Sequence, residues 1–363
     1  MTNLSPAVPL RVSPIALAAL AASLLSTASA HAADSPAWQT LPPIPNPLGV
    51  AAPFAAVSNG TLIVAGGANF PDTPPWLGGK KVWHSAIWSL ASPTATWQPA
   101  GNLPAPLAYG VSLSVNGLFL AIGGSDSSRH HASVLAFSWR DGKLVRSDVN
   151  PGPLPIPLAL AAGAVDPDQN AFVACGSESP GEQSASNRVF TARFHGESPH
   201  WRELPPLPAA PRILPIAAAD HHAFYLFGGA ALESKNGKIT RRYLRDAWRY
   251  SPASGWQQLA DLPFPSAAAP SPAPLQHGII HILGGDDGAL AGFSPPDKHP
   301  GFPGRLLQYH IATNTWSVSG SMPSPRVTAP CTPCASGFAI PSGESRPGVR
   351  SPQVDLFSPV PPP

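Results

Sequence analysis

The amino-acid sequence predicts an all-β protein folded as a six-bladed β-propeller. Three observations carry that expectation. A short apolar strand ending in a glycine doublet, or its remnant, recurs six times. Most copies are followed by a second strand, a turn, a tryptophan and a Leu-Pro or Met-Pro pair. The 49 prolines and 32 glycines among 363 residues disfavour long helices and favour short strands joined by turns.

The first three glycine strands are Leu62-Ile-Val-Ala-Gly66-Gly67, Phe119-Leu-Ala-Ile-Gly123-Gly124 and Phe172-Val-Ala-Cys-Gly176-Ser177. The next three are Phe224-Tyr-Leu-Phe-Gly228-Gly229, Ile280-His-Ile-Leu-Gly284-Gly285 and Phe338-Ala-Ile-Pro-Ser342-Gly343. Their spacing, roughly fifty-odd residues, is close to the period of kelch repeats. In the third copy the doublet is degraded and reads as Gly176-Ser177. Downstream, Ala86-Ile-Trp-Ser-Leu90 leads to Trp97, Val189-Phe-Thr-Ala-Arg193 to Trp201, Asp246-Ala-Trp-Arg-Tyr250 to Trp256, and Leu306-Leu-Gln-Tyr309 to Trp316. Leu103-Pro104, Leu207-Pro208, Leu262-Pro263 and Met322-Pro323 then mark strand ends, where no ladder donor is needed.

About four short strands per repeat cannot bury two apolar faces alone. Blades stacked around an axis do so and leave only short edges. Tryptophan suits the wedge between neighbouring blades. The last repeat lacks a Trp strand, and Ala37-Trp38-Gln-Thr-Leu41-Pro42 supplies one. This strand is expected to complete the last blade and close the ring; the plainer reading is a loose N-terminal tail.

Arg11, the apolar run Ile15 to Leu25 and the small-residue stretch Ala28 to Ala32 describe a secretory signal peptide. The run is shorter than the ~20 residues that span a bilayer, which disfavours an uncleaved anchor. Residues 1–33 are therefore expected to be a cleaved signal and residues 34–363 a single propeller domain, periplasmic or secreted. With 12% charged residues and a formal net charge of +2, the chain carries no nucleic-acid footprint. In an oxidising compartment Cys331-Thr-Pro-Cys334 can close a small structural disulfide, and no second pair completes a zinc site.

Two segments stand out chemically. Gly66-Gly-Ala-Asn-Phe-Pro-Asp72 continues through Pro75-Trp76-Leu-Gly-Gly79-Lys80-Lys81 to Trp83-His84. Its plain reading is a long surface loop, but long loops in compact domains tend to be functional. Trp76 offers a platform for a sugar ring, and Asn69, Asp72 or Lys80 offer groups for hydroxyls. The second segment is Ser342-Gly-Glu344-Ser-Arg346-Pro-Gly-Val-Arg350. Glu344 follows its doublet as Ala68, Ser125, Ser177, Ala230 and Asp286 follow theirs, so Glu344 and Asp286 should face one mouth of the axis. A carboxylate between two arginines is ordinarily a structural ion pair; at a pocket it is a base beside an anion clamp. Arg212 and Arg326, each after a proline opening a repeat, are candidates for the pocket or for a structural role at a blade entrance.

Gly66 to Asp72 with Gly79 to His84 resembles the cyclically permuted mutarotases, a family similar to the bacterial N-acetylneuraminate epimerases. Leu107-Ala-Tyr-Gly-Val-Ser-Leu113 and Ser342 to Arg350 extend the likeness over nearly all of residues 34–363. In the epimerases the Gly-Glu motif precedes the Gly-Gly-Ala motif; here the order is reversed, as a circular permutation of a closed ring requires. The resemblance implies anomer interconversion of N-acetylneuraminate or a related acidic sugar, without metal or other cofactor. It implies Glu344 as acid and base and Arg350, with Arg346, near the substrate carboxylate. One position departs: Leu107 stands where the epimerases carry an arginine, which puts the substrate in question. The implied partner is a small-molecule sugar, with no nucleic acid and no membrane after signal cleavage; a homodimer is compatible with the sequence. The alternative class is a non-catalytic carbohydrate- or protein-binding propeller. A copper radical oxidase would need converging Tyr, His and Cys ligands, whereas His84, His277 and His281 are scattered along the chain.

Overall fold

The computed structural model describes Met1 and residues 37–181, 183–195, 199–334 and 337–359. Beyond Met1, the expected signal peptide and its expected cleavage site lie outside the described residues. Six four-stranded antiparallel sheets form the six expected blades. The first blade is Phe54–Ser58, Thr61–Ala65, Ala86–Leu90 and Gln98–Asn102. The second starts at Val111–Val115, the third at Ala162–Val165, the fourth at Ile216–Ala219 and the fifth at Leu275–Gln276. The sixth contains Thr332–Cys334, Gly337–Pro341 and Val354–Ser358. Its fourth strand is Ala37–Leu41, which pairs antiparallel with Val354–Ser358. The ring is therefore closed by strand exchange between the two ends of the chain, as the sequence predicts. Among the described residues no α-helix occurs, and two single-turn 3-10 helices, Pro75–Leu77 and Pro296–Lys298, lie in loops.

The apolar strands are buried on both faces, and their side chains alternate between neighbouring blades. In Thr61–Ala65, Leu62 and Val64 pack toward blade six, while Ile63 and Ala65 pack toward blade two. This period of two makes each inner strand a wall of two cores. Six apolar clusters result, one at each blade interface. The expected tryptophan wedges are present. Trp97, Trp201, Trp256 and Trp316 donate their indole N–H groups to the carbonyls of Pro42, Gly152, Pro205 and Ala260. Each indole thus fills a seam with its ring and satisfies its polar end at a neighbouring segment.

Around the axis runs a closed ring of backbone hydrogen bonds. Tyr109 donates to Ala52, Leu160 to Tyr109, Leu214 to Leu160, Ala268 to Leu214, Thr328 to Ala268, and Ala52 to Thr328, at 2.6–3.1 Å. All six residues take a left-handed φ, between 46° and 63°. None is glycine, so each carries a conformational cost of order 1 kcal/mol. One residue before each, an antiparallel bridge joins the blade connection to the residue after the doublet: Ala51 to Ala68, Ala108 to Ser125, Ala159 to Ser177, Ile213 to Ala230, Ala267 to Asp286, and Val327 to Glu344. The six positions inferred to be equivalent are equivalent. The doublet of the third repeat, however, is Cys175-Gly176, and that of the sixth is Ser342-Gly343. The second position is glycine in all six because its φ lies between 89° and 116°, a region side chains disfavour; in Gly67 and Gly176 the N–H reaches the carbonyls of Leu107 and Arg212 on the next blade. A Cβ on Gly67 would lie 2.5 Å from Val50.

Two buried arginines tie blade connections to strands. Arg212 meets Asp246 through both terminal nitrogens at 2.8 and 2.7 Å and also donates to the Gly228 carbonyl. Arg326 meets Asp355 at 2.8 Å and donates to the carbonyls of Ser342 and Ile340. The cysteine pair departs from expectation. Cys331 lies in the core between blades five and six, while Cys334 packs against the core between blades six and one. Three positions apart in extended chain, they point to opposite faces, and both are free thiols.

Arg326 and Asp355 are each only 1% exposed. Replacing Arg326 with alanine leaves Asp355 buried without its cation and is expected to lower stability by about 3–5 kcal/mol in urea unfolding; a loss below about 1 kcal/mol would contradict this role. His281 is buried edge-on against Phe357 with an unpartnered Nδ1. Burial, and secondarily His310, lowers its pKa to about 4. The unfolded chain therefore takes up the proton first, and stability falls as pH drops from about 6.5 toward 4, by about 3 kcal/mol. His281→Phe should flatten that part of the pH–stability curve relative to wild type; superimposable curves would contradict the assignment.

Candidate active site

Above the axial ring, the loops enclose a cavity of about 520 Å³. Ring residues Tyr109, Leu160, Leu214, Ala268 and Thr328 line its floor. Its walls are the connections between the second and third strands of several blades. Blade one contributes the ribbon Ala68–Asn69 with Val82–Trp83, and blade six the ribbon Glu344–Arg346 with Val349–Arg350. Blade four contributes the hairpin Ala230–Lys235 with Lys238–Tyr243, and blade five the loop around Pro296–Lys298.

Glu344 enters the cavity directly after its bridge to Val327. Its Oε1 accepts the Gly348 N–H at 2.7 Å and Arg350 Nη1 at 2.8 Å. Its Oε2 makes no hydrogen bond among the described residues. The Glu344 side chain is 17% exposed and that of Arg350 only 4%. The Arg350 guanidinium lies 4.9 Å from the centre of the Phe70 ring, and its Nε points to the Ala68 carbonyl. The carboxylate is thus held at one oxygen and open at the other. That is what a proton acceptor requires of its surroundings.

Asp286, at the equivalent place on blade five, lines the same cavity. Its Oδ2 accepts the Tyr243 hydroxyl at 2.7 Å and its Oδ1 the Gly288 N–H at 2.9 Å. Burial first, then the Asp286 bond and charge, push the Tyr243 pKa up, so the phenol stays protonated at neutral pH. Arg241 stands beside Tyr243 and also lines the cavity. On the blade-one side, Lys81 lines the cavity with its Nζ 5.0 Å from the centre of the Tyr109 ring.

Glu344 and Arg350 are therefore brought together at the cavity. Arg346 stands at the rim, donating to the Asp297 carbonyl at 2.8 Å. Trp76 is a wall behind the blade-six ribbon, close to Gly348, where an added Cβ would approach Trp76 to 2.9 Å. Asn69 is buried in blade one, bonded to the Gly49 carbonyl and to His84 Nε2. Lys80 is exposed outside the cavity lining, and its neighbour Lys81 holds the inward place. Consecutive side chains of extended chain point to opposite sides. Arg212 and Arg326 have no surface to offer a ligand and belong to the blade framework. Leu107 directly precedes its bridge residue, as Arg212 and Arg326 precede theirs, and is buried between blades one and two. Leu107 itself is not among the residues that line the cavity. Lys81, Arg241 and Tyr243 are additional lining groups. The last two sit on a hairpin inserted into blade four, which the repeat pattern does not foresee.

Residues 23–146 match the family model for N-acetylneuraminate epimerase. The chain is 34% identical over 128 residues to the N-acetylneuraminate epimerase of Pasteurella multocida, covering 30% of this chain and 33% of that protein. It is 40% identical over 108 residues to that of Yersinia enterocolitica, 26% of each chain. It is 36% identical over 138 residues to that of Haemophilus influenzae strain 86-028NP, 33% of this chain and 36% of the relative. The matches thus span about a quarter to a third of the relatives' length. Phe70, Lys81 and Tyr109 fall within residues 23–146, while Glu344 and Arg350 fall outside. Across the closing strand and the first two blades, the chain is similar to the N-acetylneuraminate epimerases.

Proposed function

We propose that the axial cavity interconverts the anomers of N-acetylneuraminate or a related acidic sugar. The observation that carries this reading is Glu344, anchored through Oε1 by two donors and open at Oε2 within the cavity. Such a sugar is a cyclic hemiketal. Glu344 takes the proton of the anomeric hydroxyl, the bond from that carbon to the ring oxygen breaks, and the ring oxygen becomes a hydroxyl by taking a proton from water or the one Glu344 holds. The open-chain ketone turns about its C2–C3 bond, which presents the other face of C2, and the same steps in reverse close the ring. Protons and electrons balance without an oxidant or reductant.

Arg350 keeps Glu344 in place and fixes a positive charge beside it at the cavity, which favours an acidic sugar. The fully apolar floor segments Leu160, Leu214 and Ala268 exclude water beneath the ring. The similarity of the first two blades to the epimerases supports the substrate class. The signal-like N-terminus supports an exported site of action, with a sugar as the small-molecule partner.

The test is the anomer ratio, followed by NMR immediately after a sialidase releases the sugar. Wild-type protein should speed equilibration, and Glu344→Gln should lose about 10²–10⁴-fold of that acceleration. A Glu344→Gln protein as fast as wild type would sink the assignment.

A further inference from the structure

The geometry points to Lys81 as the residue that selects an anionic substrate. This inference rests on the proposed sugar reaction and adds the group that recognises the carboxylate. Arg350, the obvious clamp, is largely committed. Its Nη1 holds Glu344, its Nε faces the Ala68 carbonyl, its face lies on Phe70, and 4% of the side chain is exposed. Arg346 is turned to the Asp297 carbonyl at the rim. Arg241 is on the blade-four side, against Tyr243.

Lys81 differs from all three. It lines the cavity, it is exposed, and its ammonium makes no ion pair among the described residues. It lies over two aromatic faces, 5.0 Å from the Tyr109 ring centre and 5.5 Å from that of Trp83. Tyr109 is itself fixed in the axial ring, donating to Ala52 and accepting from Leu160. A cation held over a rigid aromatic platform keeps its charge and its N–H donors for a ligand. Glu344 and Lys81 stand on adjoining blades, six and one, so the carboxylate at C1 and the hydroxyl at C2 can be engaged together. In this arrangement Lys81 takes the carboxylate and Glu344 the anomeric hydroxyl. Lys81 acts in binding, not in proton transfer.

The experiment compares N-acetylneuraminate with its methyl ester, in which the anion is gone, as substrates of wild type, Lys81→Gln and Lys81→Arg. Lys81→Gln should raise KM for the acid about 10- to 100-fold, the range of a charge-assisted hydrogen bond, with little change in kcat. KM for the ester should stay the same, and Lys81→Arg should restore most of the affinity for the acid. An unchanged KM for the acid in Lys81→Gln overturns the role of Lys81 and leaves the proposed reaction standing. Equal loss on acid and ester also overturns it, because that pattern is structural. Wild-type protein that accelerates neither substrate overturns the proposed reaction itself.

Discussion

The axial ring of six backbone hydrogen bonds is the constraint on which the rest of the structure depends. Each blade contributes one N–H and one C=O, and each bond joins two blades. The ring closes only if all six connections reach the axis at one level, in left-handed conformation, on alanine, tyrosine, leucine and threonine. The cost of that conformation is offset by the inter-blade hydrogen bonds it permits. The bridges one residue earlier then fix where Ala68, Ser125, Ser177, Ala230, Asp286 and Glu344 stand. A carboxylate at this position has its backbone placed by the scaffold before its side chain makes any contact.

The same closure explains how one blade holds the chemistry and the chain ends together. Ala37–Leu41 pairs with Val354–Ser358, which pairs with Gly337–Pro341, whose end leads into Glu344. Gly343 reaches back to the Val50 carbonyl, and Ser342 Oγ accepts the Val50 N–H. The amide and carbonyl of one residue before the first blade thus secure the turn that presents Glu344. A closed ring can be opened at any blade without changing its spatial order. The chemistry-bearing ribbon can therefore lie near the C-terminus of one chain and earlier in another.

Much of the fold was legible because blade strands are written twice, once in their glycine ends and once in their alternation. Leu62 to Ala65 reads as a continuous apolar run, and two cores claim its alternate residues. The register of Glu344 and Asp286 was legible for the same reason, since counting from the doublet is counting along the scaffold. What escaped was decided by distant partners. Arg212 and Arg326 are buried because Asp246 and Asp355 meet them from 34 and 29 residues downstream. Lys81 rather than Lys80 lines the cavity because of the parity of a two-residue strand, Val82–Trp83. Cys331 and Cys334 were paired by spacing, but the strand sends them into different cores. Arg241 and Tyr243 arrive on an insertion with no counterpart in the repeat.

The most direct test of the account is a crystal structure of the Glu344→Gln protein with N-acetylneuraminate bound. The account predicts the sugar on the axial floor over Leu160, Leu214 and Ala268, with its anomeric oxygen within about 3 Å of the side chain at position 344 and its carboxylate at Lys81. A sugar bound outside this cavity, or bound within it with the anomeric carbon turned away from position 344, would contradict it.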